Sequence, residues 1–144
     1  MRQLKNATRV KFPALSENEG FARMVTAGFL MKMQVTAEEL ADIKTMVSEA
    51  VTNAIVHGYR DREGVESIVT LEMKAYDDGL LVVSVTDRGC GIPDVEAAMT
   101  PFFTTDKEGE RSGMGLPIMK AFSDSLRITT STRGTRVVMK KRLS

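Results

Sequence analysis

Two alternating runs joined by Asp77-Asp78-Gly79 constrain this chain more than any other feature. From Ile68 to Ala75 the apolar residues Val69, Leu71, Met73 and Ala75 recur at every second position; from Leu80 to Asp87, Leu81, Val83 and Val85 do the same. Successive side chains of a strand point to opposite faces, so each run has one face for a core and one for water. Asp-Asp-Gly is turn chemistry, and the pair reads as an antiparallel hairpin. A lone hairpin is marginal in water, so the rest of the chain must add strands and a covering layer. Ala7 to Phe12 predicts a first strand, stopped by Pro13, and Leu126 to Thr132 with Thr135 to Lys141 predict a last hairpin around Arg133-Gly134. Ser16 with Glu19, and Thr36 with Glu39, have capping-box spacing and open helices over about 17–33 and 36–58. The first would turn Phe21, Met24, Val25, Gly28 and Phe29 towards the core, and Gly58 suits the left-handed position past the end of the second. A short helix over 94–99, a long loop over 100–114 and a helix with Pro117 in its first turn, reaching about Phe122, follow. Three helices on one face of a mostly antiparallel sheet make an α+β two-layer sandwich. No repeat or linker divides it, so residues 1–144 read as a single domain.

Composition narrows the function classes. The chain has 144 residues, 42% hydrophobic and 27% charged, as in a globular domain that folds without staples. Twenty Lys+Arg against 19 Asp+Glu leave a net charge of +1, which gives no general field for nucleic acid or an anionic membrane. One Cys excludes an internal disulfide and a cysteine-rich zinc site, and one His excludes a two-histidine metal centre. No run approaches the roughly 18 uncharged apolar residues of a membrane span. MRQLKNATRVKF lacks the apolar stretch of a signal peptide, so the cytoplasm is expected.

Three segments carry candidate chemistry. On the second helix Leu40, Ile43, Val47, Ala50, Val51 and Ala54 share an apolar arc, while Glu49, Asn53 and His57 form a separate stripe at i, i+4, i+8. That stripe is either a solvated face or a catalytic one. Asn53 would offer one neutral oxygen to a magnesium ion already held by phosphates and water, and Glu49 could take a proton from an attacking hydroxyl. His57 fits a hydrogen-bonded helix end better than a catalyst. In Asp87-Arg88-Gly89-Cys90-Gly91, a carboxylate on the inward face of a strand is costly unless paired. It could cap its own turn, or accept from an exocyclic amine such as that of adenine, with Gly89 and Gly91 letting the backbone approach a flat ligand. In Arg111-Ser112-Gly113-Met114-Gly115-Leu116-Pro117, Gly-x-Gly before a helix is either a hinge or an amide-lined phosphate site, with Arg111 in reach of a terminal phosphate. It is not a Walker A loop, and no βαβ unit surrounds Asp87-x-Gly-x-Gly to make a dinucleotide fold.

Taken in order, a helix with E-x-x-x-N, a strand ending D-x-G-x-G and a loop ending G-x-G before a helix resemble the N box and two glycine boxes of the GHKL ATPase superfamily. Within it, Ser48 to Tyr59 (SEAVTNAIVHGY), Phe102 to Thr105 (FFTT) and Glu110 to Gly115 (ERSGMG) look like the anti-sigma F family of spore-forming bacteria. The likeness runs from Leu15 to Arg23 (LSENEGFAR) to the final Gly-Thr strand. It implies a serine kinase using ATP and Mg²⁺, with Glu49 as general base and Asn53 as the Mg²⁺ ligand. Asp87 would hold adenine with Thr135 nearby, Gly89 and Gly91 would shape the pocket, and Gly113, Met114 and Gly115 would hinge a lid over the phosphates. Arg111 would contact the γ-phosphate, and Arg23 would dock partners. The implied partners are sigma factor F, an anti-anti-sigma protein with an acceptor serine, and a second copy in a homodimer, with no nucleic acid and no membrane. Arg88 departs from the acidic residue usual after the adenine-binding aspartate, and Leu116-Pro117 from the usual phenylalanine-threonine pattern. Other readings are a general-stress anti-sigma kinase, a nucleotide-gated binder without catalysis, and a histidine-kinase ATP domain. The last is disfavoured because His57 lies inside the N box and no dimerising H-box helix precedes it.

Overall fold

The computed structural model describes residues 2–100 and 115–144. In chain order they form β1 (Leu4–Ala14), α1 (Asn18–Leu30), α2 (Ala37–Asn53), a π-helical turn (Ala54–Gly58), β2 (Gly64–Tyr76), β3 (Leu80–Asp87), α3 (Val95–Ala98), α4 (Gly115–Phe122), β4 (Ser125–Ser131) and β5 (Gly134–Arg142). The strands make a sheet in the order β1-β2-β3-β5-β4, with every neighbouring pair antiparallel. Val69, Leu71 and Met73 of β2, Leu81, Val83 and Val85 of β3, and Val137 and Met139 of β5 are buried against Ile43, Met46, Val47, Ala50 and Val51 of α2. The expected two-layer sandwich is therefore present, and α2 is its central helix.

The capping box at the start of α2 forms as its sequence dictates: Glu39 N–H donates to Thr36 Oγ1 at 3.0 Å, and Thr36 N–H donates to Glu39 Oε1 at 2.9 Å. The box expected at Ser16 and Glu19 does not form. The Glu19 carboxylate instead accepts from the Ser48 hydroxyl on α2 and pairs with Arg23 at 3.2 Å, so a tertiary partner displaces the local cap. The inward face of α1 also differs from expectation. Ala22, Thr26 and Leu30 are buried, with Val25 and Phe29 partly so, whereas Phe21 is 46% and Met24 73% exposed and Gly28 is exposed. Hydrophobicity alone overweighted the bulky residues; the close approach of α1 to α2 takes small ones. β1 runs through Pro13 rather than stopping before it. It is an edge strand, where a missing N–H can be tolerated, and Pro13 still lies opposite Ile68.

The other sheet face is uncovered by these helices. Lys11, Arg9, Lys74, Lys140, Arg136 and Arg127 lie on it, with Arg9 bonded to Glu72 at 3.0 Å.

Candidate active site

The helical hydrogen-bond pattern of α2 changes after Asn53. Tyr59 N–H donates to Ala54 O at 3.0 Å, an i→i+5 bond that widens the last turn. Gly58 does not adopt the left-handed cap expected of it, since its φ is not positive. A close approach explains the glycine instead. A Cβ on Gly58 would lie 2.8 Å from the carboxyl carbon of Asp87, and one on Gly89 would lie 1.7 Å from Gly58 O. With side chains absent at both positions, the turn and the loop after β3 touch backbone to backbone, and Cys90 N–H donates to Gly58 O at 2.7 Å. Gly91, at φ +81°, makes the next bend, where a Cβ would meet Ser131 O at 2.0 Å.

A narrow cleft, open to solvent, lies between these elements. Ala50, Asn53, Ala54, His57 and Gly58 line one side, Val85, Asp87, Thr135 and Val137 form the sheet floor, and Ile92 closes the end. Residues of the first two candidate segments thus share this cleft. Asn53 and His57 are half-buried in the wall, and Glu49, one turn before Asn53 on α2, is half-buried outside that lining. Glu49 Oε2 lies 3.3 Å from where a Cβ on Gly115 would stand, so the last glycine of the third segment meets the first segment directly. Arg111, Gly113 and Met114 lie outside the described residues.

Asp87 is 6% exposed, and burial pushes its carboxyl above the ordinary 3.8. Backbone N–H groups of Gly89 and Thr135, and the charge of Arg62, pull in the opposite direction. Gly89 N–H donates to Asp87 Oδ1 at 2.8 Å, so this aspartate does cap its own turn while its carboxyl lines the cleft. Thr135 pairs with Asp87 in the β3–β5 register, and its hydroxyl shares a hydrogen bond with Thr130 at 2.8 Å. Asn53 brings a side-chain amide to the cleft, whose single neutral oxygen would suit magnesium only together with phosphate and water oxygens.

Arg23 stands apart from the cleft on α1, half-exposed and paired with Glu19. Three residues around Asp87 lay beyond the sequence-based assignment: Gly58, Tyr59 and Arg62. The Arg62 guanidinium lies 6.0 Å from the Tyr59 ring centre. Only the run His57-Gly58-Tyr59 directly after the stripe could have signalled the first two.

A sheet covered on one face by a helix that brings an amide to a cleft over a buried aspartate defines a class. Residues 12–141 match the histidine kinase-like ATPase domain family, so this is an ATP-binding fold. The chain is 45% identical over 139 residues to the anti-sigma F factor of Clostridium novyi (strain NT), covering 96% of this chain and 95% of the relative. It is 46% identical over 143 residues to that of Geobacillus kaustophilus (strain HTA426), covering 98% and 95%. Its fold is similar to the RsbU and RsbW domains of a Mycobacterium tuberculosis protein, with a TM-score of 0.71 at 22% identity, covering 96% of this chain and 33% of that one. A mycobacterial sensor histidine kinase, MprB, gives a TM-score of 0.56 at 18% identity, covering 95% and 100%. The chain belongs to the anti-sigma F factor family. Among the described residues no helix is long and apolar enough to cross a membrane.

Proposed function

We propose that this chain is a cytoplasmic ATP-dependent serine-protein kinase that phosphorylates an anti-anti-sigma protein and binds and inhibits sigma factor F. Residues 1–144 would act as one ATP-binding domain, paired in a homodimer. The observation that carries the catalytic part is the buried Asp87 carboxyl at the floor of a cleft walled by Asn53 and followed around α2 by Glu49. A carboxylate there accepts from the amine of adenine; guanine presents a carbonyl at the same ring position and is repelled.

Asn53 would hold a magnesium ion through its amide oxygen, and such an ion, when bound, offsets the charge of the phosphates. Gly113, Met114 and Gly115 would lie over those phosphates, and Arg111 would hold the terminal one. Thr135 would flank the base beside Asp87, with Gly89 and Gly91 shaping that end of the pocket. Glu49 takes the proton of the acceptor serine as its hydroxyl oxygen bonds to the γ-phosphorus. The bond from that phosphorus to the bridging oxygen breaks, and ADP leaves with the electron pair. Arg23, outside the cleft, would dock both protein partners.

The test is transfer of labelled γ-phosphate from ATP to a serine of a co-purified partner. Glu49→Gln should keep ATP affinity and lose transfer by about 10²-fold or more. Near-normal transfer by that variant refutes the role of Glu49, and absence of transfer by the unaltered protein with its partner refutes the kinase.

A further inference from the structure

The pairing of β2 with β3 runs from Ala75 opposite Leu81 to Thr70 opposite Thr86. Continued in the same register, Val69 would face Asp87 and then Ile68 would face Arg88. The hydroxyl of Tyr59 stands between them. It accepts from Arg88 N–H at 2.7 Å and donates to Ile68 O at 2.5 Å. A phenol oxygen has one proton to give and lone pairs to receive, so it can splice into a backbone ladder in this way. Tyr59 is 4% exposed, so neither bond is replaced by water at no cost.

The splice has a consequence for the neighbouring carboxyl. Asp87 is the residue before Arg88, and its N–H and C=O lie in the strand that the phenol holds away from β2. Two residues past Arg88, Cys90 N–H is bonded to Gly58 O, so the end of β3 leaves the β2 ladder and joins the π-helical turn. Tyr59 and Gly58 are consecutive, and between them they fix Arg88 and Cys90 on either side of Gly89. The Asp87 carboxyl sits inside this grip, against Gly58.

We infer that Tyr59 is a positioning residue for nucleotide selection: its hydroxyl, inserted between β2 and β3, sets where the Asp87 carboxyl meets the base. The inference rests on the reading of Asp87 as the acceptor for the adenine amine. Removing the hydroxyl either lets Arg88 N–H close directly on Ile68 O, dragging Asp87 towards β2, or leaves both groups buried without a partner. A hydrogen-bond acceptor moved by a fraction of an ångström loses its selectivity first, because the wrong base is no longer opposed by a fixed carboxylate.

The experiment measures dissociation constants for ATP and GTP on three proteins: unaltered, Tyr59→Phe and Asp87→Asn. Tyr59→Phe is expected to weaken ATP about tenfold and to shrink the ATP-over-GTP preference by a similar factor. A residue that only supports the fold would lower the melting temperature and leave that ratio unchanged. A folded Tyr59→Phe with an unaltered ratio, beside an Asp87→Asn that has lost it, overturns the positioning role and leaves the adenine reading standing. An unaltered ratio in Asp87→Asn overturns both. Should Tyr59→Phe fail to fold, fluorotyrosine is incorporated into a Tyr76→Phe background, where Tyr59 is the remaining tyrosine of two. Fluorination weakens the oxygen as an acceptor with little change of shape, so the ATP-over-GTP ratio must move, and a fixed ratio overturns the inference.

Discussion

Gly58 makes a prediction whose sign depends on one neighbour. Its φ lies outside the left-handed region, so its backbone would accept alanine. In a helical position that change stabilises by about 0.5–1 kcal/mol, because glycine loses more freedom on folding. Here the added methyl would stand 2.8–2.9 Å from all three carboxyl atoms of Asp87, closer than carbon atoms tolerate. Overpacking of this kind costs about 1–3 kcal/mol. Gly58→Ala should therefore lose about 0–2.5 kcal/mol net, and should weaken ATP at least tenfold as the carboxyl is pushed out of place. In an Asp87→Ala background those three atoms are gone. There the same Gly58→Ala change should stabilise by about 0.5–1 kcal/mol, raising the melting temperature by about 1–4 °C. Urea unfolding of the four proteins in the cycle, with melting scans alongside, measures both steps. Independent sites add to within about 0.3–0.5 kcal/mol. If Gly58→Ala costs the same in both backgrounds within that margin, the carboxyl is not what keeps position 58 a glycine.

Burial raises the Asp87 pKa above its unfolded value, so the folded state binds the proton more tightly and stability falls as pH rises from 3.8 through the folded-state pKa. Asp87→Asn should remove that fall, so the variant without nucleotide gains on the unaltered protein between pH 3.8 and 7; parallel stability curves over that range would contradict it. Arg23→Ala should shift stability by no more than about 1 kcal/mol, as expected of an exposed pair with Glu19, yet weaken at least one protein partner by about 2 kcal/mol; titration calorimetry with both partners checks this, and unchanged affinities refute the docking role. Thr36→Ala should cost about 1 kcal/mol by removing the hydroxyl that accepts from Glu39 N–H, seen as a lower urea midpoint at constant slope, whereas an unchanged midpoint would mean that half of the capping box contributes nothing.

The parts of this fold set by local rules were legible in the sequence. Alternation located β2 and β3, Thr36 with Glu39 located the start of α2, and two of the residues singled out by pattern, Asn53 and Asp87, line one cleft. What escaped depended on partners distant in the chain. Glu19 could not be seen leaving its cap for Ser48, which lies on another helix. Phe21 and Met24 are as apolar as core residues, and only the packing of α1 on α2 selects Ala22 and Thr26 instead. Gly58 has the composition of a helix stop; that it makes room for a carboxyl 29 positions later is a fact of tertiary contact. Tyr59 belonged to a recognised motif, but its role depends on Ile68 and Arg88 failing to pair.

The strand order also dictates a sequence of events in time. Asp87 meets Thr135 across the β3–β5 register, and Thr135 lies 48 positions further along the chain. At roughly 5–20 residues per second, a ribosome finishes the helix wall and β3 about 2–10 seconds before it makes that partner. During the interval one edge of β3 has no strand beside it, and Val83 and Val85 face an incomplete core. The cleft cannot close in this intermediate, because its floor needs Thr135 and Val137. A nascent chain halted before β5 thus lacks the floor of this cleft and exposes the apolar edge through which unfinished sheets aggregate.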